Sequence, residues 1–463
     1  MIMLPEIIVI VTALTVLVLD LFVKDINKVQ IALAGLLSAL VSIIVLPIGG
    51  ELLGGQFILS PTAFWFKIIF LLSALITISI SYDSLMVKTS KIFLQSSSEF
   101  LVIMLLIICG MMYLVSSTSL ISLYVSLELA TIPLFALAAW HKKESKSAEA
   151  ALKYLFSGAL ASSLLLLAFS FLYGTTGTMN LSEMAVAMTF SPLQIWAFIL
   201  ITMGVGFKMT MVPFHFWAAD VYEGAPTALA SFLSVASKAA GVAVLVIFYF
   251  HVFPDLVKSL NGFLAIIATM TMTLGNLVAL TQKNIKRFMA FSSISQAGYI
   301  LMGFMGVESM GLVSVLFYLI VYIFSNLVIF GVIMAVSSST GKEEISDYKG
   351  LSISNPMLAF AMMLALFSLS GIPPLSGFLG KFFLFSVAAK QGFHWLVVVA
   401  ALNSTVSLYY YLGIIKEMYI NKADLSESIL VSAPVKWTLS LCTVVVVALG
   451  VLPQVYDLIL EGF

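Results

Sequence analysis

Apolar runs of about twenty residues, separated by short polar breaks, recur along nearly the whole chain. A run of that length, coiled as an α-helix, spans the roughly 30 Å hydrocarbon core of a bilayer. Fourteen spans are predicted, near residues 4–22, 29–48, 61–81, 99–115, 119–140, 149–173, 192–216, 226–250, 261–281, 288–306, 312–336, 356–388, 394–415 and 434–456. Loops that join such a stack must fall alternately on two sides, and basic residues favour the cytoplasmic one. Loops after odd-numbered spans hold Lys24, Lys28, Lys88, Lys91, Lys142, Lys143, Lys146, Lys283, Lys286, Arg287, Lys342, Lys349, Lys416, Lys422 and Lys436, whereas loops after even-numbered spans hold Lys258 and Lys390 alone. A wrong span in the middle would mix the two sets, so both termini are expected on the outer, periplasm-like side.

Composition agrees with an integral membrane protein. Hydrophobic residues make up 61% and charged residues 10% of the 463 positions, against about 25% charged in an ordinary soluble domain. Cys109 and Cys442 lie far apart in apolar runs, which suits neither a disulfide framework nor an iron–sulfur site. The opening MIMLPEIIVIV carries Glu6 and no basic segment, so the first helix is expected to be retained and not cleaved as a signal peptide. The lipid bilayer is therefore an expected partner, and nucleic acid is not.

Five of the 22 basic residues fall inside spans: Lys67, Lys153, Lys208, Lys238 and Lys381. A lysine at a helix centre costs roughly 2.5–3.5 kcal/mol on insertion scales. Lys67 lies near the start of its span and is expected to snorkel, with its stem in lipid and its ammonium at the interface. Position alone leaves Lys153 open between snorkelling and function. Lys208 and Lys238 lie in mid-span and Lys381 deep in a long one, which points to function. Glu128, in SLYVSLELATIPLF, is the mid-span carboxylate. Burial disfavours the charged form of each group and pairing restores it, so a glutamate and a lysine that alternately pair and separate can take up and release a proton.

Prolines mark where these helices open. Pro133 follows Glu128 by five residues and Pro213 follows Lys208 by five, so each frees a backbone carbonyl next to a charge, that of Leu129 and of Met209. Such a carbonyl must face protein or water. His215, seven residues beyond Lys208, is expected on the same helix face as a proton relay. A second interruption, SLSGIPPLSGFLGKFFLF, places Gly371, Pro373, Pro374, Gly377 and Gly380 ahead of Lys381. Two broken spans in matching places of two halves are a sequence sign of an inverted-repeat transporter. The expected fold is an all-α integral membrane protein of about 14 transmembrane helices with two inverted five-helix repeats, each containing a broken helix. The expected division is residues 1–98 (helices 1–3), 99–250 (first repeat), 251–416 (second, inverted repeat) and 417–463 (loop and last helix).

PFHFWAADVYEGAPTA, SLELATIP around Glu128 and GIPPLSGFLGKFFLF around Lys381 together resemble the antiporter-like membrane subunits of respiratory complex I, and DVYEGAP resembles subunit N most specifically. The likeness covers the whole chain, including the 25-residue interval from Glu128 to Lys153 and the 30-residue interval from Lys208 to Lys238. What the resemblance implies is a proton-translocating subunit of an NADH:quinone oxidoreductase. Glu128 would modulate Lys208, Lys238 would be the central relay, Lys381 would pass the proton toward the exit, and Lys153 and His215 would connect along the polar axis. Gln296, in SSISQAGY, stands where many subunit N chains carry His. It can orient water and cannot carry a proton as imidazolium, so Tyr299, Ser292, Ser293 and Ser295 are expected to help hold water there.

The resemblance places NADH, FMN, iron–sulfur clusters and quinone on partner subunits and no cofactor on this chain, in which neither a GxGxxG after a strand nor a P-loop is found. It also implies a bacterial-type inner membrane, with the antiporter-like subunit M and small membrane-arm subunits as neighbours. Alternatives are a cation/proton antiporter subunit of the Mrp type, or the equivalent subunit of a membrane-bound hydrogenase or related dehydrogenase.

Overall fold

The structure is a computed structural model that describes residues 2–23, 27–87, 89–90, 92, 94, 96–306, 309–421 and 429–463; Lys24, Lys88, Lys91 and Lys422 of the loop count lie outside them. Helices α1 (Leu4–Phe22), α2 (Lys28–Val45), α3 (Pro61–Ile80), α4 (Ser97–Ser116), α5 (Leu120–Ala138), α6 (Ser145–Thr176) and α7 (Pro192–Met209) form the first half. After a short α8 (Phe216–Gly224) come α9 (Thr227–Val252), α10 (Pro254–Ala279), α11 (Ile285–Met305) and α12 (Ser309–Thr340). Two half-length helices, α13 (Pro356–Ser370) and α14 (Ser376–Lys390), lead into α15 (His394–Tyr419) and α16 (Ala433–Val451). Among the described residues, thirteen of these runs are long and apolar enough to cross a membrane.

Local sequence sets the ends. Ser60, Ser191 and Asn284 each accept a backbone N–H from the first turn of the helix they precede, and Pro61 and Pro192 occupy first-turn positions where no donor is needed. Helices apolar on every side belong in the interior. α9 and α12 are accordingly buried along most of their length, as is the more polar α11, while α1, α2 and α16 expose wide apolar faces such as Val11, Val41 and Leu441.

Two expected spans are corrected. The span at 192–216 ends at Met209, and residues 210–215 form turns before α8 begins. The span at 356–388 is divided, with residues 371–375 separating α13 from α14. Both interruptions are wider than one missing hydrogen bond, because Thr210 (φ 62°) and Gly371 (φ 89°) adopt the left-handed conformation that closes a helix C-terminus. The flanking order recurs: a 32-residue helix precedes each break, α6 in one case and α12 in the other, and an unbroken 26-residue run follows, α9 or α15. α1 to α4 pack together beside this arrangement, with α3 also touching α12 and α16. A small hairpin, β1 (Glu51–Leu52) and β2 (Phe57–Ile58), joins α2 to α3.

The second break is held closed by glycine. A Cβ at Gly377 would lie 1.7 Å from the Ser368 carbonyl oxygen, and one at Gly450 would lie 2.0 Å from the Pro374 carbonyl oxygen. Backbone cannot yield as a side-chain tip can, so overpacking here costs at least the usual ~1–3 kcal/mol. Gly377→Ala should therefore lower the melting temperature of the detergent-purified protein by several degrees, whereas Gly413→Ala, in the interior of α15 and facing open space, should leave it the same or slightly higher.

Candidate functional site

A row of buried polar groups runs through the centre, from the break after α7 to the break after α13. At its first end α5 is itself interrupted at Ala130 and Thr131, with Pro133 in the first turn of its second segment. Glu128 accepts the Ser162 hydroxyl of α6 at 2.6 Å. The Lys208 ammonium donates to the Thr131 hydroxyl, three residues beyond Glu128, and Thr131 donates in turn to the Leu127 carbonyl at 2.5 Å. Glu128 and Lys208 are thus neighbours that each use a hydroxyl partner of their own, Ser162 and Thr131, and are not a closed ion pair. Lys208 is the penultimate residue of α7, where the unpaired carbonyls of a helix C-terminus favour a cation. Pro213 lies within the break. The carbonyl of Met209, expected to face protein or water, accepts the adjacent Thr210 hydroxyl at 2.5 Å.

His215 departs from the helical-face expectation. Because residues 210–215 are not helical, the two-turn spacing from Lys208 does not apply, and His215 instead precedes α8. It is 5% exposed, its ring lies tilted against that of Phe216 with centroids 4.4 Å apart, and its Nδ1 has no hydrogen-bond partner.

From Lys208 the row steps to α9. Gly241 of α9 lies against the Lys208 stem, close enough that a Cβ there would be 3.1 Å from the Lys208 Cβ. One helical turn earlier Lys238, fully buried, donates to the Ser293 hydroxyl at 2.5 Å and to the Ser293 carbonyl of α11, and its ammonium lies 5.6 Å from the Tyr322 ring centroid. The five residues before Lys238, Leu233–Ser237, form a π-helical turn, a local bulge that often accompanies functional sites.

On α11 the next turn carries Gln296. Its Nε2 donates to the Leu369 carbonyl at 3.4 Å and to the Tyr411 hydroxyl at 3.5 Å, while its Oε1 accepts from Tyr318. Tyr411 also bonds Ser292 at 2.6 Å. Tyr299 sends its hydroxyl toward the Ala400 carbonyl at 3.5 Å and offers its ring to Lys381, whose ammonium is 4.4 Å from the centroid. Lys381 reaches back across the second break, its stem beside Gly371, to the Ser370 carbonyl at 3.1 Å and the Ser404 hydroxyl at 2.9 Å. Ser370 is the last residue of α13. Lys208 and Lys381 are therefore both seated at the C-terminal end of the first half of a broken helix.

The structure brings together Glu128, Lys208, Lys238, Gln296, Tyr299 and Lys381 through these intermediates. Lys153 is not among them. It is exposed and pairs with Glu149 at 2.6 Å and Asp220 at 2.5 Å, at the end where the basic loops gather. There Arg287 bridges Asp220 at 2.6 Å and Glu223 at 2.9 Å, and Lys146 adds a contact to Glu223 at 2.7 Å. The snorkelling expected of Lys67 is also corrected: it is fully buried against Glu6 at 2.6 Å. Thr131, Tyr318, Tyr411 and Ser404 were not singled out from sequence. The signal available for Tyr411 was its position in SLYYYLG, a tyrosine cluster within an apolar span, since a membrane-buried phenol needs a hydrogen-bond partner. No cluster of three or more His, Cys, Asp or Glu suited to a metal ion occurs among the described residues.

The family model described as NADH:quinone oxidoreductase/Mrp antiporter, TM, matches residues 117–407, more than half of the chain. NADH-quinone oxidoreductase subunit N of Azobacteroides pseudotrichonymphae is 43% identical over 413 residues, covering 89% of this chain and 85% of that protein. The subunit N of Dehalococcoides mccartyi is 38% identical over 472 residues and covers 97% and 96%. A chain of respiratory complex I from Thermus thermophilus superposes with a TM-score of 0.82 at 30% identity, covering 97% of this chain and 98% of that one. A chain of the Mrp complex from Dietzia sp. gives 0.86 at 21% identity over 99% and 96%, a likeness of fold.

The Arg287 cluster has a pH signature. Burial works to raise the carboxyls of Asp220 and Glu223, but hydrogen bonds from Lys153 and Arg287 to the first, and from Lys146 and Arg287 to the second, outweigh it and hold both below the ordinary carboxylate range. A lowered folded value contributes stability above the unfolded value, near ~3.9 for Asp and ~4.3 for Glu. That contribution is lost as pH falls through the lower folded value. The Asp220→Asn/Glu223→Gln double variant should therefore melt below the parent by a constant margin from about pH 5 to 8, and the margin should shrink below about pH 4. A margin that widens on acidification would contradict the assignment.

Proposed function

The chain belongs to the family of NADH:quinone oxidoreductase and Mrp antiporter transmembrane subunits, and from that premise we propose that it translocates protons as the subunit N of an NADH:quinone oxidoreductase. The observation that carries the reading is the continuous placement of Lys208, Lys238, Gln296 and Lys381 along one buried row that begins and ends at a broken helix. Redox chemistry, with NADH, FMN, iron–sulfur clusters and quinone, is assigned to partner subunits. The high identity over nearly the full length of subunit N relatives favours this reading above a stand-alone antiporter.

In the proposed cycle, quinone reduction elsewhere in the assembly displaces the neighbouring membrane subunit, which we take to be the antiporter-like subunit M. The displacement changes the separation of Glu128 and Lys208 around Thr131. When Glu128 withdraws, the Lys208 ammonium loses its nearby negative charge and gives up a proton, which passes through water beside Gly241 to Lys238. Ser293, Gln296 and Tyr411 orient the water that carries it on to Lys381, whose proton leaves toward the outer face. Moving one charge through 100 mV takes about 2.3 kcal/mol, and a two-unit change in a group's pKa supplies about 2.7 kcal/mol. Rearrangement of one charge pair is thus of the right size.

The recurring helix order supports reading 99–250 and 251–416 as two five-helix units. The odd number of crossings per unit makes the second inverted. With the basic loops on the cytoplasmic side, both termini face the outer side of the cell membrane.

Lys238→Ala in the assembled complex should reduce protons translocated per quinone reduced by half or more, and Lys208→Ala should do the same. Undiminished translocation in both variants would contradict the route.

A further inference from the structure

Glu6 of α1 and Lys67 of α3 form an ion pair that the central row does not use. Each is 0% exposed, the separation is 2.6 Å, and beyond each other neither Glu6 oxygen nor the Lys67 ammonium finds a hydrogen-bond partner. The ammonium lies 4.5 Å from the Phe57 ring centroid. Phe57 belongs to the β1–β2 hairpin, which covers the pair on the side opposite the basic loops. The hairpin is tied down by an edge-to-face contact of Phe57 with Tyr113 at 5.7 Å and by the Thr118 hydroxyl on the Gly55 carbonyl at 2.8 Å. Cys109 and Tyr113 of α4 are the titratable groups that also feel the pair.

A buried ion pair rarely adds stability over an apolar pair of the same volume, and a structural one normally has its spare donors and acceptors satisfied. This pair has not. It is also linked to the central row by a single helix. Gly110, next to Cys109, lets α4 approach α5 so closely that a Cβ there would be 2.9 Å from the Ala130 amide nitrogen, two residues from Glu128. A shift of α5 at Glu128 therefore bears on the helix that walls Glu6 and Lys67.

We propose that Glu6 and Lys67 are a further protonatable site of this subunit, in which a proton moves between the Lys67 ammonium and the Glu6 carboxylate and exchanges with water at the hairpin. In the forward step an N–H bond of Lys67 breaks and an O–H bond of Glu6 forms, leaving a neutral amine and a neutral acid. Glu6 then releases the proton beneath Phe57, and Lys67 regains one from the interior. The proposal rests on the reading of the chain as a proton translocator.

Lys67→Arg separates this from a static pair, because a guanidinium keeps the charge and does not release its proton. In the assembled complex, Lys67→Arg should leave quinone reduction in uncoupled membranes unchanged and cut protons translocated per quinone to half or less. The exchanged variant Glu6→Lys/Lys67→Glu should recover most of the loss. Should Lys67→Arg not assemble, Glu6→Gln/Lys67→Met is read in its place, with the same drop expected. Parental translocation in the variant read, or failure of both to assemble, overturns the proposal. Lys238→Ala run in parallel isolates the cause: if it translocates normally the functional reading itself has failed, and if it is impaired while Lys67→Arg is not, only this inference has.

Discussion

An ammonium removed from water must be met by fixed negative charge or by dipoles, and how each buried lysine is met decides most of this architecture. Lys208, Lys238 and Lys381 have no carboxylate within ion-pair distance among the described residues; they are seated on hydroxyls and backbone carbonyls. An intact helix has few carbonyls to spare, since each is already bonded four residues on. Breaking the helix creates them: at one end of the row the break after α13 leaves the Ser370 carbonyl for Lys381, and at the other Lys208 meets the hydroxyl of Thr131 where α5 is interrupted. A cation held by dipoles can lose its proton without stranding a buried anion. That makes Lys381, on the Ser370 carbonyl and the Ser404 hydroxyl, suited to transfer in a way that a closed salt bridge is not.

Glu128 supplies the contrast. Among the described residues it is the carboxylate nearest Lys208 in the row; it is engaged by Ser162, while Lys208 is engaged by Thr131. A small displacement of α5 could close the gap between them or widen it. The gate therefore sits where α5 is already interrupted and where Gly110 brings α4 into backbone contact, so motion there is shared with the N-terminal helices.

Much of this was legible in the sequence because membranes impose simple rules. Hydropathy found the thirteen helices that are long and apolar enough to cross among the described residues, and Pro213 with Pro373 and Pro374 marked both breaks. Cost arguments singled out Lys208, Lys238 and Lys381. What sequence could not supply was tertiary proximity. Lys67 was assigned to the interface because it lies near a helix start, and only the fold shows that Glu6, a span away in sequence, meets it under Phe57. His215 was phased on a helix that ends at Met209. Lys153 kept a place on the axis through resemblance, yet the fold turns it to Asp220. The tyrosines around Gln296 escaped notice because an apolar ring hides its hydroxyl from any hydropathy scan.

Gln296 is where the account is most exposed, since among the described residues the interval between Lys238 and Lys381 holds an amide, serines and the phenols of Tyr318, Tyr411 and Tyr299 but no histidine, lysine or carboxylate, and water must complete the path. An electron cryo-microscopy map of the assembled complex, at a resolution that shows ordered solvent, tests this directly. The account predicts a file of waters within hydrogen-bonding distance of one another from the Lys238 ammonium, past Ser293, Gln296 and Tyr411, to Lys381. A dry, closely packed interval between Gln296 and Lys381 would contradict it.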